Sequence, residues 1–203
     1  MLNALIPLRC AACARPTREG LCQVCAAAAE ALRLPARAVA ILTPQVAAVG
    51  VFAYDGVVRD AVRGMKLSGR FAAAAPLGER VLQRAGLAAT WPVTWVPSSP
   101  ARRRARGVDL PQVLAGAGAT PLLRRQHDGP DQTSLTAEQR RRLPAGTFAA
   151  VGTVPAQVML VDDVRTTGAT AIAAAQALLD GGARRVLVAT LAVGGDAARG
   201  AAP

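Results

Sequence analysis

A chain of 203 residues has room for one full domain and a small appendage, and an apolar content of 52% is ample for a core. The formal net charge of +11 comes almost wholly from arginine, since Lys66 is the only lysine. Aromatic residues make up only 3%, which argues against a surface that stacks many bases. Met65 precedes Lys66, so there is no Gly-Lys-Ser/Thr phosphate loop and a P-loop nucleotidase is excluded. The only histidine, His127, lies in a polar stretch and reads as a solvated side chain; no second histidine exists for a Ser-His-Asp or Cys-His arrangement. The apolar run 2–8 contains Pro7 and is followed by cysteines, and the run 38–53 is broken by Pro44 and Gln45. Neither suits a signal peptide or a membrane span, and a cytoplasmic protein is expected.

Taken in chain order, the first feature is a set of four cysteines within 16 residues: Cys10-x-x-Cys13, eight residues, then Cys22-x-x-Cys25. Paired thiolates at this spacing can close a tetrahedron around zinc, with Gly20 placed where the second knuckle must tighten. Two disulfides or a redox dithiol are the alternatives. The first is disfavoured in a reducing compartment, and no thioredoxin-like strand precedes either pair. A structural zinc site with no open coordination position is expected. Residues 26–32 read as a helix ended by Pro35, which completes a module over 1–33.

Residues 34–45 read as a linker, with prolines near both ends. The main domain is expected over 46–193. Its strands are predicted at 46–53, 93–96, 158–161 and 186–191, and helical spacing recurs at 56–65, 77–85 and 110–117. Trp95 is expected to serve the core. Asp109 with Gln112 has the pattern of a capping box, as does Thr136 with Gln139. The helix predicted over 171–179 ends at Gly181-Gly182, and 194–203 reads as a flexible tail. The alternation of strand and helix predicts an α/β fold with a mostly parallel sheet flanked by helices and a small amino-terminal zinc-binding module.

The densest chemistry lies at 158–171. The apolar run 158–161 has the look of a strand buried on both faces, and Asp162 and Asp163 follow at its carboxyl end, where open α/β sheets bind ligands. Arg165, Thr166, Thr167, Gly168, Ala169 and Thr170 then lead into a helix. Unpaired N–H groups at a helix start can hold a phosphate, and hydroxyls add donors. Carboxylates beside such a cradle suit a ligand with a phosphate and either hydroxyls or a magnesium ion.

This stretch resembles the phosphoribosyl-pyrophosphate (PRPP) signature of type I phosphoribosyltransferases. The resemblance implies that Asp162 and Asp163 hold the ribose hydroxyls and that Thr166 to Thr170 hold the 5′-phosphate, with magnesium on the pyrophosphate. Further landmarks are similar to the ComF-like proteins associated with natural competence. They are the cysteines, Tyr54 to Arg59 with Lys66, Val96-Pro97 with Arg106-Gly107, and Gln132 through Arg140 to Phe148. The family's usual Arg-Gly-aromatic-Asn-Gln appears here as Arg106-Gly107-Val108-Asp109-Leu110, and Leu143-Pro144 stands where an asparagine is usual.

By the same resemblance, residues 97–107 form a pyrophosphate loop in which Ser98, Ser99, Arg102, Arg106 and Gly107 meet phosphate oxygens, and 124–142 close over the ligand. Two functions are expected from this reading. One is a phosphoribosyltransferase acting on an unknown nitrogen acceptor. The other is a non-catalytic PRPP or nucleotide sensor whose arginine clusters bind single-stranded DNA or a DNA-uptake protein.

Overall fold

Strict apolar alternation along two long strands builds the centre of the molecule. In β8 (Gln157–Arg165), Met159 and Val161 enter the core on one face of the sheet, while Val158 and Leu160 enter the core on the other. In β9 (Arg185–Val193), Leu187 and Ala189 oppose Val186 and Val188 in the same way. Strands with no solvent face can only lie inside a sheet covered on both sides. A computed structural model describes residues 8–36, 38–86, 90–126 and 146–195.

The main sheet has five strands in the order β3-β4-β9-β8-β5, with β3 spanning Val39–Thr43, β4 Val46–Ala53 and β5 Val93–Trp95. The pairings β4–β9, β9–β8 and β8–β5 are parallel, whereas β3 runs antiparallel to β4 along one edge. The sheet is therefore mixed. The expected linker at 34–45 is corrected here. Its second half is strand β3, and Pro44 and Gln45 form the turn of a hairpin. Ala40 and Leu42 pack onto the core while Val39 and Ile41 face outward, the period-two pattern of an edge strand.

On one face lie α2 (Gly56–Ser68), a 3-10 turn (Phe71–Ala73), α3 (Ala74–Arg84) and α5 (Leu110–Ala115). On the other lies α6 (Ala169–Asp180), whose buried Ala171, Ala174 and Ala175 permit close approach to the strands. Beside it is a two-stranded antiparallel pair, β6 (Leu123–Arg125) and β7 (Phe148–Ala150). These strands take up the start of the stretch expected to be a closing loop. Its remainder, with His127, Gln132, the second capping box and Arg140, lies outside the described residues.

The cysteine segment is a compact unit pressed onto this body. Its first knuckle is the tip of a hairpin formed by β1 (Leu8–Arg9) and β2 (Pro16–Thr17), and its second leads into α1 (Gln23–Glu30). Two glycines mark where backbone meets backbone. A methyl group on Gly20 would overlap the Ala73 main chain, and one on Gly64 of α2 would overlap the Ala11 carbonyl. Gly20 thus serves the docking surface as well as the turn predicted for it. Glu30 also bridges to Arg33 and Arg80, and these guanidinium partners hold its carboxyl near 2. The bridge is partly solvated, so it contributes to register more than to stability.

Arg84 at the end of α3 fastens the segment leading to β3. Its guanidinium donates to the carbonyls of Gly50, Pro35, Ala36 and Ala38 at 2.7–3.3 Å. Replacing it with methionine keeps the stem and leaves those carbonyls without their donor. Thermal or urea unfolding should show a loss on the order of 2–4 kcal/mol, given the strength of charged hydrogen bonds. A change under about 0.5 kcal/mol would mean the segment holds itself in place.

Candidate functional site

The sheet order creates a crevice at the carboxyl ends of β8 and β5. Beyond β8 the chain turns into α6 on one face. Beyond β5 it enters α4 (Pro100–Arg106) and then α5 on the opposite face. Adjacent parallel strands whose exits diverge leave an opening between them, the position where open α/β sheets take ligands.

Asp162 and Asp163 line the β8 side of that opening. Both lie inside the strand, which continues to Arg165 opposite Val193, so the expectation that the strand ends at 161 is corrected by four residues. They are 9% and 7% exposed, a rare depth for adjacent carboxylates. Asp163 Oδ1 receives Lys66 Nζ from α2 at 2.8 Å, and Asp162 Oδ1 accepts the Asp163 backbone N–H at 2.8 Å. The pair is therefore divided, one acid with a cation beside it and the other without. Burial, and then the charge of Asp163, push the Asp162 carboxyl up to about 8; Asp109 adds to the rise, while the Asp163 N–H and Lys66 oppose it.

That rise fixes a pH dependence. A carboxyl held above its unfolded value of about 3.9 gives stability that is complete below that value and lost as pH climbs through the folded value. Asp162→Asn should then gain on the wild type in thermal unfolding as pH rises from 4 to 8, with a constant gap beyond. Parallel curves across that range would show that Asp162 ionises freely in the folded chain.

The phosphate-cradle residues follow directly. Thr166 and Thr167 are exposed and Gly168 is buried with φ of 83°, a left-handed backbone that favours glycine. Gly168 caps α6 without a side-chain hydrogen bond, and Ala169 and Thr170 form its first turn. The only side-chain acceptor nearby is Thr167 Oγ1, at 3.4 Å from the Ala169 N–H. The first N–H groups of α6 are thus available to an anion. Arg165 just before them is 7% exposed, and its Nε has no partner among the described residues.

On the β5 side, residues expected to be loop form a short helix. Ser99 caps α4 by accepting the Arg102 N–H at 3.3 Å, and Pro100 occupies the first helical position, which proline favours. Arg102, Arg103 and Arg104 are exposed, Arg106 is half-buried, and Gly107 closes the helix in the left-handed region. None of these arginines has an acidic partner among the described residues, and none contacts the 162–170 segment. Ser98 uses its backbone N–H on Asp109 Oδ2 at 3.1 Å. The capping box expected at Asp109 and Gln112 is therefore corrected: Asp109 turns back to the β5 loop rather than onto its own helix. Its Oδ1 is buried without a partner.

The second cluster brings all four predicted sulfur atoms within 4.8 Å of one another. Cys22 is the N-cap of α1 and Cys25 lies in its first turn, while Cys10 and Cys13 sit on the hairpin tip. Cys13 Sγ and Cys22 Sγ are 3.8 Å apart, close to the edge of about 3.8 Å that a zinc–sulfur bond of about 2.3 Å gives a tetrahedron. Burial resists ionisation of Cys10, yet the backbone N–H groups of Cys13, Cys22 and Ala12 outweigh it and lower this thiol to about 6. Burial and the neighbouring thiols push Cys25 the other way. A divalent ion reverses that second effect by favouring thiolate at every position. The cluster could hold a metal such as zinc.

Sequence reasoning missed Lys66 and Asp109 as members of the acidic site. Lys66 had one signal in its favour: it is the single ammonium in a chain that otherwise uses arginine everywhere. No helix among the described residues is long and apolar enough to cross a membrane. No family model matches the chain, and no curated protein matches it either.

Proposed function

We propose that the crevice between β8 and β5 binds PRPP and that the chain is a phosphoribosyltransferase of the ComF-like type, acting on an unknown nitrogen acceptor. The observation that carries this reading is the buried Asp162–Asp163 pair immediately ahead of an uncapped helix start. Ribose hydroxyls can donate to the ionised acid and accept from the protonated one, while the 5′-phosphate takes the free N–H groups and hydroxyls at 166–170. Arg165 supplies a cation at the edge of the cradle.

Two carboxylates, one already paired with Lys66, are too few to retain magnesium by themselves. Hard oxygen donors do suit that ion, which would arrive with the pyrophosphate and offset charge on the leaving group. The acids would orient the ribose and face the positive charge that gathers on the sugar carbon. Neither is asked to act as a general base. The cysteine cluster is assigned a structural zinc, supported by four soft ligands at tetrahedral spacing that leave no position for a substrate.

Release of pyrophosphate from PRPP, measured with a panel of bases and amines, tests the catalytic reading. Turnover with any acceptor supports it, and binding without turnover rejects it. A second reading is favoured by the arginines of α4, which stand exposed with no counter-charge. In that reading the face binds single-stranded DNA. Arg102, Arg103 and Arg104 changed together to alanine should then weaken DNA binding and reduce its salt slope by up to about three, one per lost phosphate contact. If the triple variant instead weakens pyrophosphate alone, the helix belongs to the crevice.

A further inference from the structure

Helix α2 touches both clusters at once, and on different sides. Gly64 presses its backbone on the carbonyl of Ala11, a wholly buried residue between Cys10 and Cys13. Two residues later, Lys66 reaches Asp163. Two positions correspond to about 200° around a helix, so the knuckle and the acidic pair grip opposite flanks of the same turn. Met65 between them is fully buried, which ties any rotation of that turn to repacking of the core. Arg70, just past the end of α2, extends the contact, with Nη1 3.5 Å from the Cys10 carbonyl.

We propose that the state of the cysteine cluster is transmitted through α2 to the acidic pair, with Lys66 as the positioning residue that aims Asp163. The proposal rests on the reading that Asp162 and Asp163 receive a sugar phosphate. A metal bound by Cys10 and Cys13 fixes the Ala11 peptide between them. That peptide is the surface against which Gly64 is seated, and the seating sets where Lys66 delivers its ammonium group. With the cysteines unbound, the hairpin tip loses its cross-link and α2 loses one of its two flanking supports. Asp163 Oδ1 is held by Lys66 in this arrangement, which leaves the other carboxylate oxygen, oriented but free, for a ribose hydroxyl. By linkage the effect is reciprocal: the sugar phosphate should also tighten the hold on the metal.

The test uses the full chain, loaded with zinc or stripped by a chelator, and titrated with ribose 5-phosphate. Stripping should weaken binding by about tenfold in the wild type, within the usual range for coupled sites. In Lys66→Met, binding should be weak from the start and change less than about twofold on stripping, because the relay is gone. Lys66→Arg should restore part of the dependence. If the stripped chain unfolds, Gly64→Ala in the loaded chain takes its place. It moves α2 off the knuckle without touching a cysteine, and should weaken binding only where Lys66 is present.

A ligand-free readout keeps the two readings apart. The carboxyl carbon resonance of Asp163 should shift on zinc loading in the wild type and stay put in Lys66→Met. A shift with no ribose 5-phosphate binding upholds the coupling and rejects the ligand assignment. Equal ribose 5-phosphate affinity in the loaded and stripped chain, with no movement of the Asp163 resonance, overturns the coupling and leaves the ligand assignment standing.

Discussion

Cys22→Ser releases zinc and lowers the melting temperature of the whole chain, not only of its amino-terminal segment. The serine hydroxyl is a poor ligand for a soft site and leaves three thiolates around an open position. The remaining sulfurs then crowd together, Cys10 and Cys25 both buried. The loss spreads because the segment is not an appendage. Ala11 belongs to the main apolar core, and Gly20 and Gly64 seat the knuckles on Ala73 and Ala11 by backbone contact. A loss of roughly 4 kcal/mol, at the upper end for single substitutions, lowers Tm by about 8–16 °C in a chain of this size. Metal content by mass spectrometry and Tm by calorimetry check it. Full zinc retention would reject the four-thiolate site, and an unchanged Tm would mean the module folds apart from the body.

Changing Asp162 and Asp163 together to asparagine removes PRPP binding while leaving the sheet intact. Each side chain keeps its shape, so the β8 pairings with β5 and β9 have no reason to shift. What changes is charge. The ribose hydroxyls lose an ionised acceptor, worth roughly 1.5–3 kcal/mol, or about 10- to 100-fold in affinity. Lys66 is left facing a neutral amide and competes with the ligand's own cation. Titration calorimetry should show the drop, and circular dichroism should show native structure in both proteins. Unchanged heats in the double variant would move the ligand elsewhere.

How much of this could be read from sequence depended on whether the signal was local. The buried strands β8 and β9 announced themselves as apolar runs, and 46–53 was legible for its full length. The cysteine spacing carried its own geometry, since the sequence separation within each pair is the separation within a turn. The strand β3 was hidden because two prolines bracket it closely, and only its pairing with β4 makes sense of the alternation at 39–42. The helix α4 was obscured by its arginines, although Ser99-Pro100 is an ordinary helix start.

The partners of the acidic site were the least visible. Lys66 and Asp163 are 97 residues apart, and nothing local to either predicts that they meet. Asp109 offered a local pattern that pointed the wrong way. A capping box and a tether to the preceding loop need the same residue type at the same place, and only the position of Ser98 decides between them. Local chemistry thus identified the acids and the cradle, while the charges that differentiate the two acids come from elements brought in by the fold.

The most direct measurement is a crystal structure of the full chain with PRPP and magnesium at saturating concentration. The account predicts ribose hydroxyls within hydrogen-bond distance of the Asp162 and Asp163 carboxylates, and the 5′-phosphate on the N–H groups at the start of α6. A crevice left empty under those conditions, or a ligand bound only to the α4 arginines, would contradict it.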